Sequence, residues 1–314
     1  MLKRLDIYKI ESVNPRIKKI IIRSILGVFL LGIPIFGFTS ILKQTNKSNR
    51  YTDWMASLDN NTSLREVNMP GSHDTMALYS IGDLAGQCQS LSLKDQLNLG
   101  VRFLDIRLKE DHNKLKAVHG IVDQKASFES ITKIVEEFIN KHPQEFLIMS
   151  IKEEANASNS DISFEDSLKA YLTSDIYLKG TDIPEKVGDV RGKVLLLSRY
   201  SGSTIGIPAY NGWETSATFT LPNDIYVQDT FKITSALQKQ EQIVRCFYEG
   251  GHALKINFLS AYRTDTFPPS YAVSAAQDIN LWINNEISNF NDRGIVLYDF
   301  VTEDNMNYFF EGIL

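Results

Sequence analysis

Cysteine is almost missing from this chain: Cys88 and Cys246 are the only two in 314 residues. They lack the spacing of metal ligands, which excludes a cysteine-built structural metal site. Two free, buried thiols are expected; whether the pair lies within bridging distance is left to the fold. No segment repeats at a fixed period and no long tract is of low complexity, which sets aside repeat architectures. Positive charge is scarce beyond residue 50. The first fifty residues hold ten of the 33 Lys and Arg and two of the 38 Asp and Glu, leaving 23 basic against 36 acidic residues, a net of −13. So acidic a body argues against a nucleic-acid partner, which selects basic surfaces. Docking on anionic lipid would lean on apolar insertion rather than on net charge.

Long hydrophobic runs are scarce too, and only residues 20–42 reach membrane length. Nineteen residues from Ser24 to Leu42 carry no charge, close to the ~20 that span a bilayer. Basic residues crowd the N-terminal side, which places that side in the cytoplasm and the following chain outside. No Ala-x-Ala pattern follows, so a retained anchor is preferred to a cleaved signal peptide, which would leave the protein secreted. The expected organisation is a basic cytoplasmic segment 1–19, a transmembrane anchor or signal sequence 20–42, a linker 43–50 and a globular domain 51–314.

That domain has the means to build a core, with 43% hydrophobic and 11% aromatic residues in the chain. Strand-like runs occur at 64–69, 101–107, 115–119, 145–151, 194–199, 224–229, 254–260 and 295–300. Several are almost continuously apolar, as strands buried on both faces of a parallel sheet are. Helical periodicity lies between some of them. Ser127 is placed to cap a helix running to about Asn140, which His142-Pro143 ends; 235–248 and 272–287 read similarly. Eight strands interleaved with helices predict an α/β fold, a (β/α)8 TIM barrel. Connections around the second and third strands are too short for full helices, so an irregular barrel is expected. A doubly wound open sheet is the alternative.

In such barrels the active site gathers at the C-terminal ends of the strands. At or just after those ends stand His73, Asp105 and Arg107, His119, Lys152, Arg199, Asp229 and Asp299. Two histidines, several carboxylates and arginines on one rim point to acid–base chemistry on a phosphate. His112, His142 and His252 lack such neighbours and read as surface or capping residues.

The motifs 70–75 (Pro-Gly-Ser-His-Asp-Thr), 103–107 (Phe-Leu-Asp-Ile-Arg) and 118–120 (Val-His-Gly) together resemble the X domain of bacterial phosphatidylinositol-specific phospholipase C. The likeness continues in family order through 148–152, 197–202, 211–213, 225–229 and 296–300. It implies an irregular (β/α)8 TIM barrel that cleaves phosphatidylinositol, free or glycosylated, to diacylglycerol and a cyclic inositol phosphate. His73 would be the general base, oriented by Asp299. Arg107 would pair with the phosphate, and His119 would protonate the leaving oxygen, kept charged by Asp105. Asp74 would complete the network beside Arg107. Lys152, Arg199, Trp213, Asp229 and Phe231 would surround the inositol. Phe231 stands where the family has a tyrosine, so the stacking surface survives and the hydroxyl is lost. With Arg107 in the place of a metal ion, no metal and no other cofactor is expected. The implied partner is a phosphatidylinositol-containing membrane surface, and the expected state is a monomer.

Two rival readings remain open. A glycerophosphodiester phosphodiesterase on the same barrel would need a metal cluster near the first histidine, where Arg107 would repel the ion. A binding protein with a dead site would lack His73, His119 or Asp299, and all three are present. Two apolar loops near the rim, 76–84 and 267–271, are candidates for lipid contact, with core packing as their alternative.

Overall fold

The structure is a computed structural model describing residues 50–81, 86–264 and 272–314. The expected anchor 20–42, its basic flank 1–19 and the lipid-loop candidate 267–271 lie outside the described residues. No helix among the described residues is long and apolar enough to cross a membrane.

The strands, in chain order, are β1 (Met69–Ser72), β2 (Phe103–Asp111), β3 (Lys114–His119), β4 (Val122–Ser127), β5 (Leu147–Ser158), β6 (Tyr177–Leu178) and β7 (Val194–Arg199), followed by β8 (Ile207–Pro208), β9 (Thr218–Leu221), β10 (Ile225–Gln228), β11 (Lys232–Ile233), β12 (Leu254–Phe258), β13 (Tyr262–Arg263) and β14 (Ile295–Tyr298). The α-helices are α1 (Leu93–Asn98), α2 (Phe128–Lys141), α3 (Phe164–Tyr171), α4 (Ala236–Tyr248), α5 (Ala272–Glu286) and α6 (Glu303–Phe310). Twelve strands form one curled sheet whose main path is β6-β7-β5-β2-β1-β14-β12-β10-β9. From β6 to β10 every pairing on this path is parallel, and β9 joins β10 antiparallel. The fold is thus TIM-like but mixed, and among the described residues no ladder joins its two ends. The irregular barrel expected from the sequence is borne out as a TIM-like curled sheet, while its eight-fold strand–helix alternation is corrected. No helix separates β7 from β10; β8 and β9 fill that interval.

Two strand expectations also change. Residues Leu64–Glu66 form a 3-10 turn rather than a strand. Leu64 and Val67, both buried, are three residues apart, a spacing that shares a face in a 3-10 turn and not in a strand. Residues 115–119 are not a barrel strand. His112 and Asn113 both adopt positive φ (52° and 56°), the two-residue hairpin turn that sends the chain straight back. β3 therefore pairs antiparallel with β2 and continues into β4.

The helices start where small hydroxyl residues can accept the otherwise unpaired N–H groups of the first turn. Ser92, Ser127, Ser163, Ser235 and Thr302 each accept the backbone N–H three residues on. In α2, Phe128, Ile131, Val135, Phe138 and Ile139 are buried, the stripe that helical periodicity requires. Gly71 lets the central strands close up. A Cβ there would sit 2.9 Å from Cβ of Phe103 and 3.1 Å from Cγ of Leu297, so β1 can lie between β2 and β14 only without a side chain at that position.

Candidate active site

Strand register assembles the site. Ser72 pairs with Tyr298 across β1 and β14, so the next residue on each strand, His73 and Asp299, come face to face. Nδ1 of His73 lies 2.7 Å from Oδ1 of Asp299. Arg107, Lys152 and Arg199 form a single row across β2, β5 and β7, three cations on one rim. Asp105, two residues before Arg107 on β2, shares its face and lies fully buried beneath it. The β2–β3 hairpin returns His119 to the same rim.

Asp105 is the hub of the arginines. Its Oδ2 accepts from Arg107 Nε (3.2 Å) and Nη2 (3.0 Å) and from the Asp74 N–H (3.0 Å). Its Oδ1 accepts from Arg199 Nη1 at 3.0 Å. Burial opposes its charge, but Arg107 and then Arg199 outweigh burial and hold the carboxyl well below the usual range. The carboxylate beside His119 is Asp74, whose Oδ2 is 3.6 Å from His119 Nε2 and 3.5 Å from Arg107 Nη1. The sequence-based pairing of Asp105 with His119 is therefore corrected. Both Asp105 oxygens are taken by other donors, and the turn after β1 swings Asp74 into the gap at a φ of 43°, which aspartate tolerates better than most residues. Burial raises the Asp74 pKa, with Arg107 and His119 opposing the rise.

The tautomers follow from the partners. A guanidinium only donates, and Arg107 Nη2 lies 2.8 Å from His73 Nε2; that nitrogen is the acceptor, and Nδ1–H donates to Asp299. Burial lowers the His73 pKa, yet Asp299 more than compensates and the net shift is upward. His119 Nδ1 lies 2.8 Å from the carbonyl of Gly86, so Nδ1 carries the proton and Nε2 points towards Asp74. The result is one chain of contacts: Asp299, His73, Arg107, Asp74, His119.

His73, Arg107, His119, Lys152, Arg199, Trp213, Asp229, Phe231 and Asp299 all border one pocket of about 950 Å³; Asp74 and Asp105 lie buried in its floor. The volume suits a sugar phosphate with part of its leaving group. Also lining the pocket, Trp213 donates from Nε1 to Asp229 (3.1 Å) while the Arg199 guanidinium lies 3.5 Å from its ring centroid. Phe231 offers a bare aromatic face near Tyr262.

Three residues of the site were not expected from sequence. Glu154 pairs with Lys152 Nζ (2.6 Å), accepts the Gly120 N–H and stands 3.9 Å from Arg107. Strand periodicity carries the signal, since 152 and 154 share a face of β5. Buried Gln89 donates to both the His73 and Tyr298 carbonyls at 2.8 and 2.9 Å, pinning the two strand ends together; nothing local in the sequence marks it. Cys88 borders the pocket, 4.0 Å from His119 Nδ1. Both cysteines are free and buried, as expected.

The family described as "Phosphatidylinositol-specific phospholipase C, X domain" matches residues 67–200. That span includes His73, Asp74, Asp105, Arg107, His119, Lys152 and Arg199, and it leaves out Trp213, Asp229, Phe231 and Asp299. The chain is 29% identical over 285 residues to a 1-phosphatidylinositol phosphodiesterase of Listeria monocytogenes, covering 87% of this chain and 88% of that protein. A protein of the same name from Staphylococcus aureus strain Newman is 26% identical over 200 residues, 57% of this chain and 64% of the relative. Among solved structures, the F249X mutant of phosphatidylinositol-specific phospholipase C from Staphylococcus aureus superposes with a TM-score of 0.72 at 21% identity, covering 82% of this chain and 97% of that one. The phosphatidylinositol-specific phospholipase C from Listeria monocytogenes gives 0.68 at 24%, covering 83% and 98%. At such identities the structural likeness speaks for the fold.

Proposed function

We propose that this chain, whose residues 67–200 match the X domain of phosphatidylinositol-specific phospholipase C, cleaves phosphatidylinositol to diacylglycerol and inositol 1,2-cyclic phosphate. The observation that carries the reading is the unbroken contact chain Asp299–His73–Arg107–Asp74–His119 along the floor of one pocket. A base, a phosphate-binding cation and an acid stand in the order that an in-line displacement requires.

His73 is the base. The inositol 2-hydroxyl is a poor nucleophile until its proton leaves, and Nε2 holds a lone pair because Asp299 keeps the proton on Nδ1. A bound phosphate competes for the Arg107 N–H that occupies Nε2 in the free protein, so substrate both uncovers the base and takes the guanidinium. The new O–P bond forms as the P–O bond to glycerol breaks, and Arg107 stabilises the charge on the non-bridging oxygens. His119, protonated on Nε2 beside Asp74, gives its proton to the departing glycerol oxygen. With the roles of the histidines exchanged, water then opens the cyclic ester. Asp105 positions Arg107 and Arg199 and touches neither reacting proton.

Lys152, Arg199 and Asp229 supply the polar groups that meet the inositol hydroxyls, and Phe231 its apolar face. Arg107 supplies the electrostatic stabilisation a divalent ion would otherwise give, so the reaction needs no metal. Phosphorus NMR of phosphatidylinositol vesicles treated with the protein in chelator tests this. The expected product is a cyclic inositol phosphodiester signal, absent with His73→Ala or His119→Ala. No turnover in chelator with recovery on adding Ca²⁺, or near-normal turnover by either variant, would overturn the reading.

A further inference from the structure

Cys88 has no part in the chemistry above, yet its sulfur is held among the reacting groups. The ligand atoms of Asp74, Cys88 and His119 all lie within 4.8 Å of one another, and so do those of His73, Cys88 and Asp299. The thiol is 1% exposed. Its backbone is tied on both sides, the N–H donating to the Ala77 carbonyl (2.9 Å) and the carbonyl accepting from the Phe300 N–H (2.7 Å), so the sulfur stays near the imidazole.

Three details of the first cluster match what a soft divalent cation needs. Nδ1–H of His119 is spent on the Gly86 carbonyl, the outer contact that fixes the tautomer of a metal-bound histidine and leaves Nε2 free to ligate. Asp74 Oδ2 is buried, accepts no hydrogen bond and is 3.6 Å from that Nε2. Bonds of about 2.0–2.3 Å in a tetrahedron put neighbouring ligand atoms roughly 3.3–3.8 Å apart; Asp74 Oδ2 and His119 Nε2 already meet this at 3.6 Å, while the Cys88 sulfur, 4.0 Å from Nδ1, must swing round towards Nε2.

We propose that Asp74, Cys88 and His119 form an inhibitory site for a thiophilic divalent cation, zinc being the first choice. Binding forms a metal–sulfur bond and expels the thiol proton to solvent. Thiolate and carboxylate then cancel the charge of the ion, so the neighbouring Arg107 is not opposed by a net positive centre. The open pocket side leaves room for water to complete the tetrahedron. Occupation takes the His119 Nε2 that would otherwise carry the proton for the leaving group, and the enzyme stops. Sulfur selects against Mg²⁺ and Ca²⁺, which prefer oxygen ligands.

Cobalt(II) titration of the metal-free protein reads the site without using activity. A sulfur-to-cobalt charge-transfer band is expected in the wild type and in Cys246→Ser, lost in Cys88→Ser and lost or weakened in His119→Ala. Inhibition of phosphatidylinositol cleavage by zinc, which rests on the function proposed above, is measured against the metal-free rate of each variant. Chelator-reversible inhibition is expected in the wild type, weakened about tenfold or more in Cys88→Ser, with no inhibition by Mg²⁺. Absence of the cobalt band in the wild type, its survival in Cys88→Ser, or equal zinc sensitivity of the two proteins overturns the proposal. Should Cys88→Ser fail to fold, the His119→Ala spectrum decides: an unchanged band refutes the site. A cobalt band in a protein that does not cleave phosphatidylinositol would leave the metal site standing and remove only the proposed function.

Discussion

The imidazole of His73 hangs between an anion and a cation, with Asp299 on Nδ1 and Arg107 on Nε2. Burial and Arg107 both lower its pKa, and Asp299, with Asp105 behind it, more than offsets them. As the proposed base His73 must be neutral, so kcat/KM should fall as pH drops through a pKa above the ordinary histidine value of about 6.5. In Asp299→Asn the larger raising influence is gone, that of Asp105 is left, and both lowering ones remain. The acid limb should move to lower pH, and the plateau should drop by about 10²–10⁴ for want of the correct tautomer. A pH–rate profile of both proteins checks this; a limb that stayed put or moved upward would contradict the assignment of Asp299. At this scale the sequence was a good guide to residue types, because each block keeps its chemistry within a few consecutive residues. It misassigned the carboxylate next to His119. Asp74 and Asp105 lie on different strand ends, and only the turn after β1 decides which of them reaches the imidazole.

Individual elements set how well these groups are aimed. β1 is four residues long and His73 follows it directly, so its depth in the sheet fixes the proposed base. Gly71→Ala would push a methyl against Phe103 and Leu297, and overpacking of this kind costs about 1–3 kcal/mol. The expected outcome is a lower denaturant midpoint together with reduced turnover; an unchanged midpoint would show that the strands can part without cost. The helices were legible in the sequence because a hydroxyl cap followed by a 3.6-residue apolar stripe is a local signal, and α2 and α4 fall within a residue of their expected bounds. The β2–β3 hairpin was not. Lys114–His119 reads as one more apolar-alternating strand, and nothing in that alternation says whether it joins a neighbour in parallel or folds back on the strand before it. The positive φ of His112 and Asn113 made that choice, and the choice put His119 on the rim.

At the scale of the domain, two of the exposed apolar side chains stand at the pocket. Ile121 at the tip of the β3–β4 hairpin is 92% exposed and Tyr210 50%, and both border the pocket. Tyr79 and Ile81, from the loop that is a candidate for either lipid contact or core packing, are exposed as well, while Met76 of the same loop is buried in the core. An acidic domain can approach a bilayer through such insertion without a basic face. Ile121→Glu with Tyr210→Glu should weaken binding to phosphatidylinositol vesicles several-fold and leave hydrolysis of a soluble inositol phosphodiester near normal. Equal losses on both substrates would place these residues in the pocket's chemistry instead. The sequence by itself determined the acidic charge, the capped helices, the buried parallel strands and the ordered blocks of reactive residues, since all of these are carried by neighbours along the chain. Only the tertiary structure decided that β3 folds back on β2, that Arg107, Lys152 and Arg199 share one row, that Asp74 lies beside His119, and that Cys88 lies close to both histidines. Those facts depend on register and on turns between segments far apart in sequence, where a shift of one residue turns every side chain to the opposite face.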